Sequence, residues 1–231
     1  MAAAGDRTTW GRLPLFEGLS PGQLAEINAQ LHRRTVPTGR LLMMVEDPGE
    51  VAYLILEGTV KVYVDRPDGT EIIIALRGPG EIVGEMSIVD RHSRSATVLT
   101  LEPCTLLAWD RARFAAALQT MPGLSYNLAR ILASRLRVAT AQIQALAGLD
   151  LQGRVARQIL TFAEEYGRPA GDGAVQIPLR LTQSDLAGMV GASRVRVNEV
   201  VVDFKRRGYI AVDARHRLTV HDAAALARRC Q

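Results

Sequence analysis

The chain of 231 residues is long enough for two domains, and 48% hydrophobic with 23% charged residues is the balance of a globular protein rather than a disordered one. Nowhere do 18 consecutive apolar residues occur, and no basic segment followed by an apolar run opens the chain, so neither a membrane span nor a secretory leader is indicated and a cytoplasmic location is expected. Only Cys104 and Cys230 are present, which excludes a disulfide framework and an iron-sulfur cluster, and the net charge of +4 lies almost wholly in residues 191–231, a local excess that suits a polyanionic partner or a solvated basic tail.

Ser20-Pro-Gly-Gln23 has the form of a capping box, and Leu24, Ile27 and Leu31 follow at helical spacing, so a short helix is expected over 21–32. From Val36 to Trp109 the period changes. Segments 51–56, 59–64, 70–76 and 95–101 are rich in Val, Ile, Leu, Tyr and Thr, and they are punctuated by Gly39, Gly49, Gly58, Asp68-Gly69 and Gly78-Pro79-Gly80. Short strands between closely spaced turn signals predict a compact antiparallel barrel or roll.

After Arg111 the pattern is helical again. Beyond Pro122-Gly123, apolar positions Leu124, Leu128, Leu132, Leu136, Ala139, Ile143 and Leu146 recur at intervals of four and three. Such a seam is longer and narrower than the buried side of a surface helix, and it predicts a coiled-coil-like dimer interface, the alternative being a helix packed on its own domain. A second helix is expected over 152–165, ending at the Gly/Pro cluster of 167–173.

Two segments carry chemistry. In Gly84-Glu85-Met86-Ser87…Arg94-Ser95-Ala96 a glycine admits close backbone approach, a carboxylate can accept from a ribose 2′-hydroxyl, and a guanidinium can match a cyclic phosphate. On chemistry alone, Glu85 and Arg94 could also be a plain surface ion pair. The segment resembles the cyclic-nucleotide-binding cassette shared by the catabolite activator (cyclic-AMP receptor) family and the regulatory subunits of cyclic-nucleotide-dependent kinases. That resemblance implies that Glu85 holds the ribose hydroxyl and Arg94 the exocyclic phosphate oxygens. Val83, Gly84, Met86, Ser87, Ser95 and Ala96 would complete the pocket, with Arg135 and Thr140 reaching it from the long helix. In that family a Thr-Ser pair on the long helix reads the purine, whereas the corresponding pair here is Ala139-Thr140, which leaves the base preference open between cyclic AMP, cyclic GMP and another ligand such as a cyclic dinucleotide.

Further on, Thr182 and Asp185 resemble a capping pair, Leu186, Met189 and Val190 mark one short helix, and Gly191 supplies a turn. A second helix then begins at Ser193, with Val197, Val200, Val201 and Phe204 as its buried side and Arg194, Val195, Asn198 and Glu199 on or near the opposite face. Two guanidiniums, an amide and a carboxylate at the exposed start of a second helix suit major-groove reading, against the alternative of a helical pair with a solvated basic face. Residues 150–220 resemble the winged helix-turn-helix of the same receptor family. The chain is thus identified as a member of the Crp/Fnr superfamily, although its Arg194-Val195-Arg196-Val197-Asn198-Glu199 departs from the catabolite activator's Arg-Glu-Thr-Val-x-Arg.

The expected fold is α+β: an N-terminal cyclic-nucleotide-binding antiparallel β-roll over 12–121, a long dimerisation helix over 122–147 and a C-terminal winged helix-turn-helix over 148–231. Leu128, Leu132, Leu136, Ala139, Ile143 and Leu146 are the expected dimer contacts, and Thr182, Ser184, Ser193, Arg194, Val195, Arg196, Asn198 and Glu199 the expected DNA contacts. The resemblance implies a ligand-gated regulator bound to a palindromic duplex operator, with RNA polymerase as a further partner and a cyclic nucleotide as effector rather than a covalent cofactor. A ligand-independent regulator and a cyclic-nucleotide-binding interaction module are the other readings. His32, His92, His216 and His221 show no ligand spacing with the cysteines, and no hydrolase triad, P-loop or metalloprotease motif occurs, so neither a metal site nor an enzyme is expected.

Overall fold

A computed structural model describes residues 10–67 and 71–230. The expected turn at Asp68-Gly69 lies outside the described residues. Following a single 3-10 turn at Pro14–Phe16, helix α1 (Pro21–Asn28) starts on a true capping box in which the Ser20 hydroxyl accepts from Gln23 N and the Gln23 side chain accepts from Ser20 N. The helix ends before Leu31, because Leu31–Val36 forms strand β1, which pairs antiparallel with Cys104–Asp110 (β8).

Among the described residues, the roll consists of two four-stranded sheets. One has the order β1-β8-β3-β6, with β3 at Val51–Glu57 and β6 at Ile82–Val83. The other runs β2-β7-β4-β5, with β2 at Leu41–Met43, β4 at Val60–Asp65, β5 at Glu71–Arg77 and β7 at Thr97–Thr100. All four strand segments expected between residues 51 and 101 are present. Central strand β8 is buried along six of its seven residues, so it supplies side chains to both faces of its sheet. On one side Trp109 packs with Phe16, Phe114, Leu54 and Ile82; on the other Leu106 and Ala108 pack with Ile55, Val60, Val83 and Val98. The Trp109 indole N–H is satisfied by the Gln30 side-chain oxygen at 3.1 Å.

A short helix α2 (Met86–Val89) separates β6 from β7, and α3 (Arg111–Thr120) follows β8 with Asp110 as its N-cap. The long helix α4 spans Pro122–Gly148. Its apolar seam divides. Leu124 and Leu128 are buried in the roll's own core, and Ile131 and Leu132 pack against it, whereas Leu136, Ala139, Ile143 and Leu146 are exposed. Leu128, one of the expected dimer contacts, is thus a buried core residue of its own chain. Leu132 is half-buried in the same way.

Among the described residues, 10–64 with Ala75–Arg135 gather into one compact unit, and 65–67 and 71–74 with 136–230 into another. In the second, α5 (Leu151–Tyr166) is capped by the Asp150 carboxylate, which accepts from Gly153 N at 2.7 Å, and it buries Val155, Ala156, Ile159 and Phe162. A four-stranded sheet of order β11-β12-β10-β9 contains Arg168–Pro169 (β9), Val175–Ile177 (β10), Ile210–Val212 (β11) and Leu218–Val220 (β12). Between β10 and β11 lie α6 (Gln183–Val190) and α7 (Arg194–Arg206), and α8 (Ala223–Arg228) packs on α5. No helix among the described residues is long and apolar enough to cross a membrane.

Candidate ligand pocket and nucleic-acid interface

The cassette lies where β6 turns into α2. Gly84 has φ +81°, a backbone conformation open to glycine, and a Cβ there would stand 2.7 Å from the Arg94 guanidinium, 2.8 Å from Met43 and 2.9 Å from the Val51 carbonyl oxygen. Only a hydrogen fits that space. Arg94 is 5% exposed, and its two terminal nitrogens donate to Gly84 O (2.7 Å), the Ser87 hydroxyl (2.8 Å) and Val51 O (2.6 Å). Its Nε is buried with no hydrogen-bond partner among the described residues. Desolvation by burial pulls this guanidinium below its ordinary pKa, opposed by Tyr53, Glu85 and Glu50 and assisted by Arg111.

Glu85 is also buried, at 2% exposed, so the pair is not a surface ion bridge. Its counter-charge comes from α4: Arg135 donates through Nη1 to Glu85 Oε1 at 2.7 Å and through Nη2 to Ile82 O at 2.6 Å. The structure thus brings Val83, Gly84, Glu85, Ser87, Arg94 and Arg135 together around one buried cluster of opposite charges. Ala96 is buried nearby in sequence, while Met86 and Ser95 are exposed. Thr140 lies further along α4, exposed, with its hydroxyl donating to Leu136 O at 2.9 Å. Sequence reasoning missed Tyr53, whose influence on Arg94 comes from a neighbouring strand with no motif of its own.

The second constellation is built as its local signals imply. Thr182 and Asp185 form a reciprocal capping box, Gly191 adopts φ +64° to end α6, and the Ser193 hydroxyl caps α7 by accepting from Arg196 N. Val197, Val200, Val201 and Phe204 are all buried, which turns Arg194, Val195, Arg196 and Glu199 to the surface and leaves Asn198 half-buried. Val195 is 68% exposed. Thr182, Ser184 and Arg194 line a cleft of about 460 Å³ together with Gln183, Lys205 and His216. These last three were not foreseen, because they converge from α6, α7 and the β11–β12 wing.

The four histidines are exposed, and no grouping of three or more His, Cys, Asp or Glu able to hold a metal occurs among the described residues.

Comparison with known proteins agrees with this geometry. Residues 33–121 match the cyclic nucleotide-binding domain and residues 153–229 the Crp-like helix-turn-helix domain. The chain is 34% identical over 220 residues to a CRP-like cAMP-activated global transcriptional regulator of Mycobacterium tuberculosis, covering 95% of this chain and 97% of that one. It resembles the crystal structure of Thermus thermophilus catabolite activator protein (31% identity, TM-score 0.53, 94% and 98% of the two chains). It also resembles the c-di-GMP-responsive global regulator CLP of Xanthomonas campestris (25%, TM-score 0.70, 87% and 99%). With both domain matches, the cassette and the winged helix-turn-helix in place, the chain belongs to the Crp/Fnr family of DNA-binding transcription regulators.

Proposed function

We propose that this regulator is a homodimer whose affinity for a palindromic operator is set by a cyclic nucleotide held between Glu85 and Arg94. The observation that carries the reading is the Arg94 guanidinium, buried with its Nε lacking an acceptor and ringed by Gly84 O, Val51 O and Ser87 Oγ. A buried donor without a partner is costly, and a phosphate oxygen is a stronger acceptor than a peptide carbonyl, so an entering anion improves the balance of this site. Gly84 lets the protein backbone come close to the ligand, and the Glu85 carboxylate accepts from a ribose hydroxyl. Cyclic AMP is the first candidate, given the 34% identical cAMP-activated relative, with cyclic GMP next.

On the DNA side, Arg194 pairs with guanine, Val195 meets a thymine methyl and Glu199 accepts from cytosine N4. Thr182, Ser184, Ser193 and Arg196 contact the phosphate backbone. Leu136, Ala139, Ile143 and Leu146 face a second copy across α4. RNA polymerase is the proposed protein partner, in the cytoplasm, with no catalytic role for the chain itself. A cyclic dinucleotide is the second reading, favoured by the likeness to the c-di-GMP-responsive regulator and by Ala139 standing where the family places a hydroxyl.

The test is calorimetric titration of the wild-type protein and Arg94→Ala with cyclic AMP, cyclic GMP and cyclic di-GMP, followed by operator affinity with and without the tightest binder at fixed salt. Binding lost in Arg94→Ala and operator affinity raised by the nucleotide are the expected results. Equal operator affinity in both conditions, with binding confirmed, would reject the switch.

A further inference from the structure

We propose that Glu81 is a positioning residue for the ligand pocket, holding Arg135 between two carboxylates so that Glu85 keeps accepting capacity for a ribose hydroxyl. The inference rests on the reading of Glu85 as the ribose anchor. The Glu85 carboxylate is 3% exposed, and a buried carboxylate needs a counter-charge and donors. Arg94 acts on it through charge alone and donates no hydrogen bond to it, since its terminal nitrogens are spent on Gly84 O, Val51 O and Ser87 Oγ. The hydrogen-bonded counter-charge is Arg135, and Arg135 is shared. While Nη1 meets Glu85 Oε1 at 2.7 Å, Nη2 lies 3.5 Å from Glu81 Oε1 and 2.6 Å from Ile82 O.

Glu81 is itself held in place. Its Oε1 accepts from Arg77 Nη1 at 3.0 Å, and its Oε2 accepts from Gly78 N at 3.2 Å, which ties it to the turn between β5 and β6. Charges therefore alternate from Arg77 through Glu81 and Arg135 to Glu85, and none of the four side chains is more than 20% exposed. In such a row the pull of Arg135 on Glu85 is divided. Removing the charge of Glu81 draws Arg135 wholly onto Glu85, where it competes with the ribose hydroxyl for the same oxygens. The forked guanidinium matters, because a lysine at 135 offers one compact ammonium in place of two terminal nitrogens held apart in one plane.

The experiment is cyclic AMP and cyclic GMP titration by calorimetry, with thermal melting of each variant as the folding control. Glu81→Gln keeps the acceptor for Gly78 and loses the charge, so nucleotide affinity is expected to fall about tenfold, while Glu81→Asp holds within about threefold of wild type. In an Arg135→Lys background the Glu81→Gln effect is expected to shrink to under about threefold, which a purely structural role would not produce. Wild-type affinity in Glu81→Gln, or a loss undiminished in the Arg135→Lys background, would overturn the proposal alone. A wild-type protein that binds neither nucleotide would overturn the reading of the pocket and this inference with it.

Discussion

Arg94 donates to the carbonyl oxygen of Gly84 at 2.7 Å, and a methyl group on Gly84 would stand at that same distance from the donating nitrogen. The residue that gives the pocket its room is also the one whose backbone anchors the pocket's cation. Gly84→Ala must therefore leave φ +81° or displace Arg94. The expected result is a loss of about 2 kcal/mol in urea unfolding together with weakened nucleotide binding. Unchanged stability would show that this turn tolerates a side chain.

Two leucines on the same helix are expected to behave oppositely. Leu128, 4% exposed within the roll core, should cost about 2–5 kcal/mol of protomer stability when cut to alanine. Leu136, 68% exposed, should cost the protomer little, yet Leu136→Lys should convert a dimer to a monomer in sedimentation. A monomeric wild type at micromolar concentration would contradict the proposed interface.

On α7, proposed above to read DNA, Arg194→Ala is expected to weaken specific operator binding by about 1–3 kcal/mol and to relax preference at one base pair in each half-site. Arg196→Ala should weaken all sequences alike and lower the salt dependence by about one counterion. Fluorescence anisotropy against operator and scrambled duplexes over a salt series separates the two.

Burial, reinforced by Glu102, pushes the Cys104 thiol up to about 11, from an ordinary value of 9.0. The thiol should resist alkylation in the native protein at pH 8 and react only on unfolding. Because the unfolded thiol ionises first, its stabilising contribution is complete below pH 9.0 and is lost as the pH rises through about 11. Cys104→Ala should flatten that alkaline decline in urea unfolding measured from pH 8 to 10.5.

What could be read from the residues alone was local. Both capping boxes, Ser20–Gln23 and Thr182–Asp185, sit where their side chains implied, since the donors and acceptors are three residues apart. The buried side of α7 followed from spacing for the same reason. Strand β1 was hidden because Leu31 continues the helical spacing of Leu24 and Ile27, while the exposed run His32–Thr35 offers no alternation to mark a strand. In α4, an interval of four identifies an apolar stripe but not which molecule covers it, so Leu128 and Leu136 look alike until the roll is assembled. The partnership of Arg135 with Glu85 crosses 50 residues and carries no spacing rule at all.

Because Leu124 and Leu128 complete the roll's interior, the start of α4 is not a place where the sensor can be separated from the rest. A fragment ending at Met121 would surrender two apolar plugs and the counter-ion of Glu85 at once, and should be recovered as aggregate. One ending at Gly148 keeps all three, and should fold by itself as a nucleotide-binding unit suited to spectroscopy or ligand screening without DNA.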